Sequence, residues 1–209
     1  MAIDRKKIIE DMSKVKAEAN PDGIIPAFNV LVNQMPARFW NGFSKRMVDA
    51  VSDDVKDAVE ELLINAAHEC GYHTGYGIIT SKEWDAIVKP MVAGVEDVLH
   101  GAFAVFTAWG WAKAEIIELV PGKRMVVKAY DYYEADIANE YTGKKAPRLM
   151  AYMIRGVSAA FMDLAYGGEY DSTGKKNLYT FRCKQTKGIE KGDPFGEFVV
   201  VPAAEYEGL

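Results

Sequence analysis

The densest group of reactive side chains in this 209-residue chain is His68-Glu69-Cys70-Gly71-Tyr72-His73. On a helix successive residues turn by about 100°, so His68 and His73 point about 140° apart and do not readily share one metal ion. Glu69 and His73, four apart, lie on one face, with Tyr76 a turn further on. Cys70 and His73, three apart, are also neighbours. A carboxylate, a thiol and an imidazole brought together are the parts of an acid–base or nucleophilic site, which makes Glu69, Cys70 and His73 the candidate catalytic residues. No second ligand pair stands elsewhere in the chain, so no metal site is expected. The plainer reading makes Cys70 a small core residue and His73 a hydrogen-bonded helix histidine.

Aromatic residues form the second group: Trp109, Trp111, Tyr130, Tyr132 and Tyr133, with Met153 and Phe161 further along. Strand aromatics facing a methionine-bearing helix can line a concave apolar pocket, the usual setting for a small organic ligand. Trp109, Trp111, Tyr130, Met153 and Phe161 are accordingly candidate ligand-binding residues, with core packing as the competing reading of each. Arg155 joins them as the cation placed to meet a ligand carboxylate or an internal acid; its plainer reading is a solvated helix face. Gly71, Gly75 and Gly77 are spaced as in some phosphate-binding loops. They lie at the end of a helix, not between a strand and a helix, so that reading is weak. There is no P-loop, no Gly-x-Ser-x-Gly elbow and no His-Glu-x-x-His, and Ser158 has no evident histidine partner. No cofactor is specified.

These residues must be positioned by an element over residues 147–168. Pro147 suits a first helical turn, where a missing N–H costs nothing. Leu149/Met150, Met153/Ile154, Val157, Ala160/Phe161 and Leu164 then recur every three to four residues, and Gly167-Gly168 ends the pattern. Residues 178–185 and 195–201 are β-rich runs on either side of a turn-forming segment, 187–194. Residues 112–119 and 125–130 flank Val120-Pro121-Gly122-Lys123, a second hairpin signal. Between these units, residues 131–145 are polar and tyrosine-rich and read as a long surface connection, a lid or an opening.

The N-terminal half reads as helical. Residues 4–19 carry a thin stripe of Ile8/Ile9, Met12, Val15 and Ala19, fit for packing on a neighbour in the same chain or a second copy. Asn20-Pro21-Asp22-Gly23 is a turn. Pro36 opens a helix through Phe39, Trp40, Phe43 and Met47. Asp53-Asp54 start the next, which runs to Cys70 and gives way to the small-residue run 71–77. Ser81 caps a short helix, and residues 91–106 continue helical beyond Pro90. The expected fold is α+β: an antiparallel sheet of two hairpins packed against a long helix, with a helical N-terminal half. Residues 1–60 are assigned to an extension or arm and 61–209 to a ligand-binding domain.

Composition narrows the partners. A net charge of −5 argues against nonspecific nucleic-acid binding. No apolar run is long enough to span a bilayer, and residues 1–10 are charged rather than secretory in pattern, so a cytoplasmic protein is expected. Two cysteines, Cys70 and Cys183, are too few for a disulfide framework.

The order of motifs carries a resemblance. Gly110-Trp111 opens a strand; the polar loop and the 147–168 helix follow; then come Phe181-Arg182-Cys183, Gly192-Asp193 and Phe198-Val199-Val200. This order resembles the 4-vinyl reductase domain family of hydrocarbon-binding proteins over residues 62–202. Met153-Ile154-Arg155-Gly156-Val157 resembles that family's glycine-bearing helix, and Cys183 falls where its first strand cysteine does. The resemblance implies a homodimer with a hydrophobic pocket between helices and sheet, taking an apolar or aromatic small molecule. Several members hold structural zinc through cysteines of the helix, strand and turn plus a glutamate. Here the helix has no cysteine, Thr180 stands where the glutamate would, and no cysteine follows Cys183, so zinc at that place is not expected. Two alternatives remain: a small hydrolase or reductase accessory using Glu69, Cys70 and His73, or an adaptor subunit docking through the 4–19 helix.

Overall fold

A computed structural model describes residues 3–32 and 34–208. The protein is α+β, with a helical N-terminal half and a four-stranded antiparallel sheet built from two hairpins. The first helix, α1 (Arg5–Met12), starts at Asp4, whose side chain accepts from the Lys7 N–H at 3.0 Å. It stops at Met12 rather than at residue 19, because the Ser13 hydroxyl donates back to the Ile9 carbonyl at 2.6 Å and closes the last turn. Its stripe lies against the chain's own α5: Ile8 and Met12 are fully buried, and Arg5 donates to the carbonyls of His100 and Ala114 at 2.9 and 2.6 Å.

The Asn20 turn forms as expected, the side chain accepting from the N–H groups of Asp22 and Ile24. A small hairpin follows, β1 (Ile25–Ala27) and β2 (Val30–Val32), turned by Phe28 and Asn29 at φ 51° and 57°. Its three-residue strands are too short for alternation to show in sequence. Helix α2 (Ala37–Asp49) opens after Pro36 and leaves Phe39, Trp40, Phe43 and Met47 about two-fifths exposed.

Helix α3 (Lys56–Ile79) does not end at Cys70 but runs through the glycines. The reason is its neighbour α6 (Tyr152–Tyr166), against which it packs along its length. A Cβ on Gly71 would come within 2.9 Å of the Val157 Cα, and one on Gly75 within 2.7 Å of a Leu164 methyl. From the other side, a Cβ on Gly156 would meet the backbone nitrogen of His68 at 2.4 Å. These glycines therefore set the helix separation rather than break a helix. Helix α4 (Lys82–Ile87) is capped by Ser81 as expected, and α5 (Val95–Ala108) follows Pro90.

Strands β3 (Ala112–Val120) and β4 (Arg124–Tyr132) form the first hairpin, β5 (Phe181–Lys187) and β6 (Gly196–Pro202) the second. They join through β4 and β6, giving the order β3-β4-β6-β5, with Val127 opposite Phe198 and Cys183 opposite Val200. Helix α6 lies between this sheet and α3, buried on nearly every side from Tyr152 to Asp163. It starts at Tyr152 rather than Pro147, because the N–H groups of Met150 and Ala151 are taken by the side chains of Glu190 and Gln185. The segment read as a surface connection is folded as 3-10 turns over Tyr133–Glu140, with Glu134, Ala135, Ile137 and Ala138 buried. Among the described residues no helix is long and apolar enough to cross a membrane.

Candidate functional site

The N-terminus of α6 gathers the buried charge. Ala151 offers no side-chain cap, and Glu134 supplies one from the 133–140 segment, accepting from the N–H groups of Met153 at 2.8 Å and Ile154 at 3.2 Å. Burial pushes the Glu134 carboxyl up to about 8, against the pull of those backbone donors. Glu190, fully buried, accepts from the Met150 N–H and the Gln185 amide at 2.9 and 2.8 Å, and from the Tyr132 hydroxyl. Burial beside Glu190 drives the Tyr132 hydroxyl far above its ordinary range, so it remains a donor. Glu60, on α3, is held by Arg148 at 2.9 Å and by the Tyr152 hydroxyl at 3.0 Å.

Arg155 is buried on α6, not on a solvated face. Its Nε lies 3.4 Å from the Cys183 carbonyl and one terminal nitrogen 3.4 Å from the Tyr206 hydroxyl. Among the described residues no carboxylate comes within ion-pair distance of it. It opens on a cleft of about 150 Å³ lined by Glu60, Arg148, Leu149, Arg155, Lys184 and Gln185.

A second, smaller cleft of about 20 Å³ lies where α3, α5 and α6 meet. Every residue lining it is apolar: Gly75 and Ile79 of α3, Val98, Leu99 and Ala102 of α5, and Phe161, Leu164 and Ala165 around the end of α6. Its volume is that of about one water molecule. The sheet side of α6 is filled instead, by Phe103, Phe106, Met125, Val127, Phe181 and Phe198 packed with Ile154 and Phe161.

The candidate residues therefore separate. Phe161 lines the apolar cleft and Arg155 the polar one. Trp109 packs on Phe28 with ring centres 4.4 Å apart, and Trp111 on Phe106 at 5.0 Å. Met153 is half-buried against the main core. Tyr130 is exposed, its hydroxyl donating to Glu115. Glu69 and Cys70 are exposed on α3, with the Cys70 sulfur 3.9 Å from the Thr74 hydroxyl. His73 pairs through Nδ1 with the Tyr170 hydroxyl at 2.8 Å. No hydrogen bond joins any two of Glu69, Cys70 and His73, and none of the three lines either cleft. Among the described residues no cluster of three or more metal-ligating side chains occurs.

In the sequence His68 was weighed only as a metal ligand beside His73, and Asp163 was passed over. His68 is fully buried and its Nε2 lies 2.6 Å from an Asp163 oxygen. Asp163 also accepts from the Tyr179 and Phe181 N–H groups and the Thr180 hydroxyl, pinning the entrance of β5 to α6. The signal was present: Asp163 is an acid inside an apolar helix pattern, a position that requires a partner.

This architecture is shared with known structures. The phenol-responsive sensory domain of the transcription activator PoxR, solved with phenol, superposes with a TM-score of 0.70 at 14% identity, over 99% of this chain and 94% of that one. A trafficking protein particle complex subunit 3 from Naegleria fowleri, covalently bound to palmitic acid, gives 0.53 at 14% identity, over 83% of this chain and 94% of that one. No family model and no curated protein matches the sequence. At this identity the likeness establishes the fold.

Proposed function

We propose that this protein binds a small apolar or aromatic molecule, as a member of the 4-vinyl reductase domain family acting as a homodimer. The observation that carries the reading is the all-apolar cleft at the junction of α3, α5 and α6, floored by Gly75 and Ala102. Support comes from the fold shared with a sensory domain solved with phenol. A cleft of about 20 Å³ admits a ring only if Phe161 and Leu164 swing aside. Leu164 is half-buried and the freer of the two; Phe161 is 3% exposed and packs on Phe103 with ring centres 5.2 Å apart, so its movement costs that contact. The ligand therefore enters by side-chain displacement, exchanging Phe161–Leu164 contacts for its own. A second copy covers the exposed face of α2, where Trp40 meets Phe39 and Phe43 edge-on and those two rings lie parallel.

Intact-complex mass spectrometry of gently purified protein tests both parts, reporting bound organic mass and copy number together. Ligand-observed NMR with toluene and phenol then probes the cleft directly. Saturable toluene binding, weakened by filling the cleft through Ala102→Leu, is the expected result. Absence of binding by either neutral ring at millimolar concentration removes the reading.

A further inference from the structure

We infer that the Arg155 cleft is a second binding site, selective for a carboxylate carried on a small apolar body. Arg155 is 3% exposed, and arginine keeps its charge inside proteins. A buried cation is ordinarily paired with a carboxylate or saturated with hydrogen bonds, because desolvation without compensation is costly. Arg155 has neither. Its two contacts, at 3.4 Å, are longer than ordinary N–H···O bonds, and Nη1 donates to no protein atom among the described residues. Of the nearby acids, Glu60 is engaged by Arg148 and Tyr152, and Glu61, which meets the Tyr206 hydroxyl at the same long 3.4 Å, makes no ion pair with Arg155. Three cations, Arg148, Arg155 and Lys184, line the cleft against one carboxylate, Glu60.

The guanidinium lines the cleft with donors to spare, and a planar guanidinium fork selects a carboxylate through two parallel hydrogen bonds. Leu149 supplies an apolar wall, and a cavity of about 150 Å³ is roughly the size that holds one benzene ring. A small aromatic or branched aliphatic monocarboxylate fits both demands. The inference goes beyond the reading above: it places a charged ligand at a separate cleft and stands independently of the apolar one.

The test titrates benzoate, toluene and inorganic phosphate separately into the purified full chain by ligand-observed NMR and calorimetry. Benzoate is expected to bind saturably. Arg155→Gln is expected to weaken benzoate roughly tenfold or more, the loss of charge-assisted hydrogen bonds, while leaving toluene unchanged. Should Arg155→Gln fail to fold, Leu149→Trp fills the cleft from its half-exposed wall and lowers benzoate affinity with Arg155 intact. Benzoate binding that survives a folded Arg155→Gln or, where that variant does not fold, Leu149→Trp, or a preference for phosphate, overturns the inference. Toluene binding with no benzoate binding also overturns it while the neutral-ligand reading stands. Arg155-dependent benzoate binding with no toluene binding upholds the inference and removes the apolar site.

Discussion

The two clefts on α6 differ in kind. At the end of the helix, small and apolar residues from three helices leave a gap of about 20 Å³ with no polar side chain in its lining. Near its start, a gap of about 150 Å³ is lined almost entirely by charged and amide side chains. The apolar gap is bounded by hydrocarbon alone; around the polar one, Glu60 is held by Arg148 and Tyr152, and Gln185 by the Ala151 N–H and the Glu190 carboxylate. On the proposed readings, a single helix presents a deformable site and a pre-formed one, separated by about two turns. Hydrophobic packing tends to fill itself, whereas an incompletely matched charge holds space open.

Three changes act on this contrast through stability. The seam between α3 and α6 holds both clefts in place, and Gly156→Ala strikes it at the tightest point, where the added methyl meets backbone at 2.4 Å. Because backbone cannot rotate away, the cost should exceed the usual 1–3 kcal/mol of an over-filled core and reach roughly 3–5 kcal/mol, read from urea melts. A loss under about 1 kcal/mol would show that the helices separate freely and that neither cleft has a fixed wall.

Glu134→Gln acts on the polar end alone. The folded carboxyl titrates at about 8 and the unfolded one at its ordinary 4.5. Between these values the native state keeps a proton that the unfolded chain has lost, so the stability tied to this group is full below pH 4.5 and is lost as pH rises through 8. Glutamine removes the charge and keeps an acceptor for one of the Met153 and Ile154 N–H groups, which Glu134 meets with its two separate oxygens. Between pH 5 and 8.5 the variant should gain on the parent by about 3–4 kcal/mol, the pH-dependent loss it no longer suffers. Parallel pH profiles would mean that the group ionises freely.

Leu164→Ala acts on the apolar end alone. Truncating a half-buried leucine should cost about 1–2 kcal/mol and leave a larger gap beside Gly75. Toluene should bind more tightly to this variant and benzoate no differently, as ligand-observed titrations would report. Equal changes for both ligands would merge the two clefts into one site.

How much of this was legible in the sequence follows the same division. Helix α6, its glycine stop, both hairpins and the Ser81 cap were readable because periodicity and turn chemistry are local. The continuation of α3 through Gly71, Gly75 and Gly77 was not, because glycine reads as a breaker until a neighbour demands close approach, here α6 at Gly71 and Gly75 and the Phe28 turn at Gly77. The polar end was hidden for a related reason: Glu134, Glu190, Gln185 and Glu60 come from four separate elements, and each alone looks like a surface residue. Arg155 was singled out as a ligand cation, yet its burial was visible only in three dimensions. The His68-to-His73 cluster shows the converse, since a shared helix face brought no shared environment: His73 turned to Tyr170 and Cys70 to solvent.

The two cysteines report on the contrast with the smallest perturbation. Cys70 is exposed on α3 and lines neither cleft, so Cys70→Ala should change stability by less than about 0.5 kcal/mol. Cys183 sits under the polar cleft, its carbonyl 3.4 Å from the Arg155 Nε and its thiol pushed up to about 12 by burial. At pH 8 only about one Cys183 in ten thousand is then the reactive thiolate. Alkylation of native protein should therefore modify Cys70 alone, with Cys183 reacting only on unfolding. If the polar cleft is fixed, benzoate leaves the Cys183 rate where local opening sets it or slows it further. Faster Cys183 labelling on adding benzoate would mean that the ligand pries α6 from β5, and the pre-formed site would prove as deformable as its apolar counterpart.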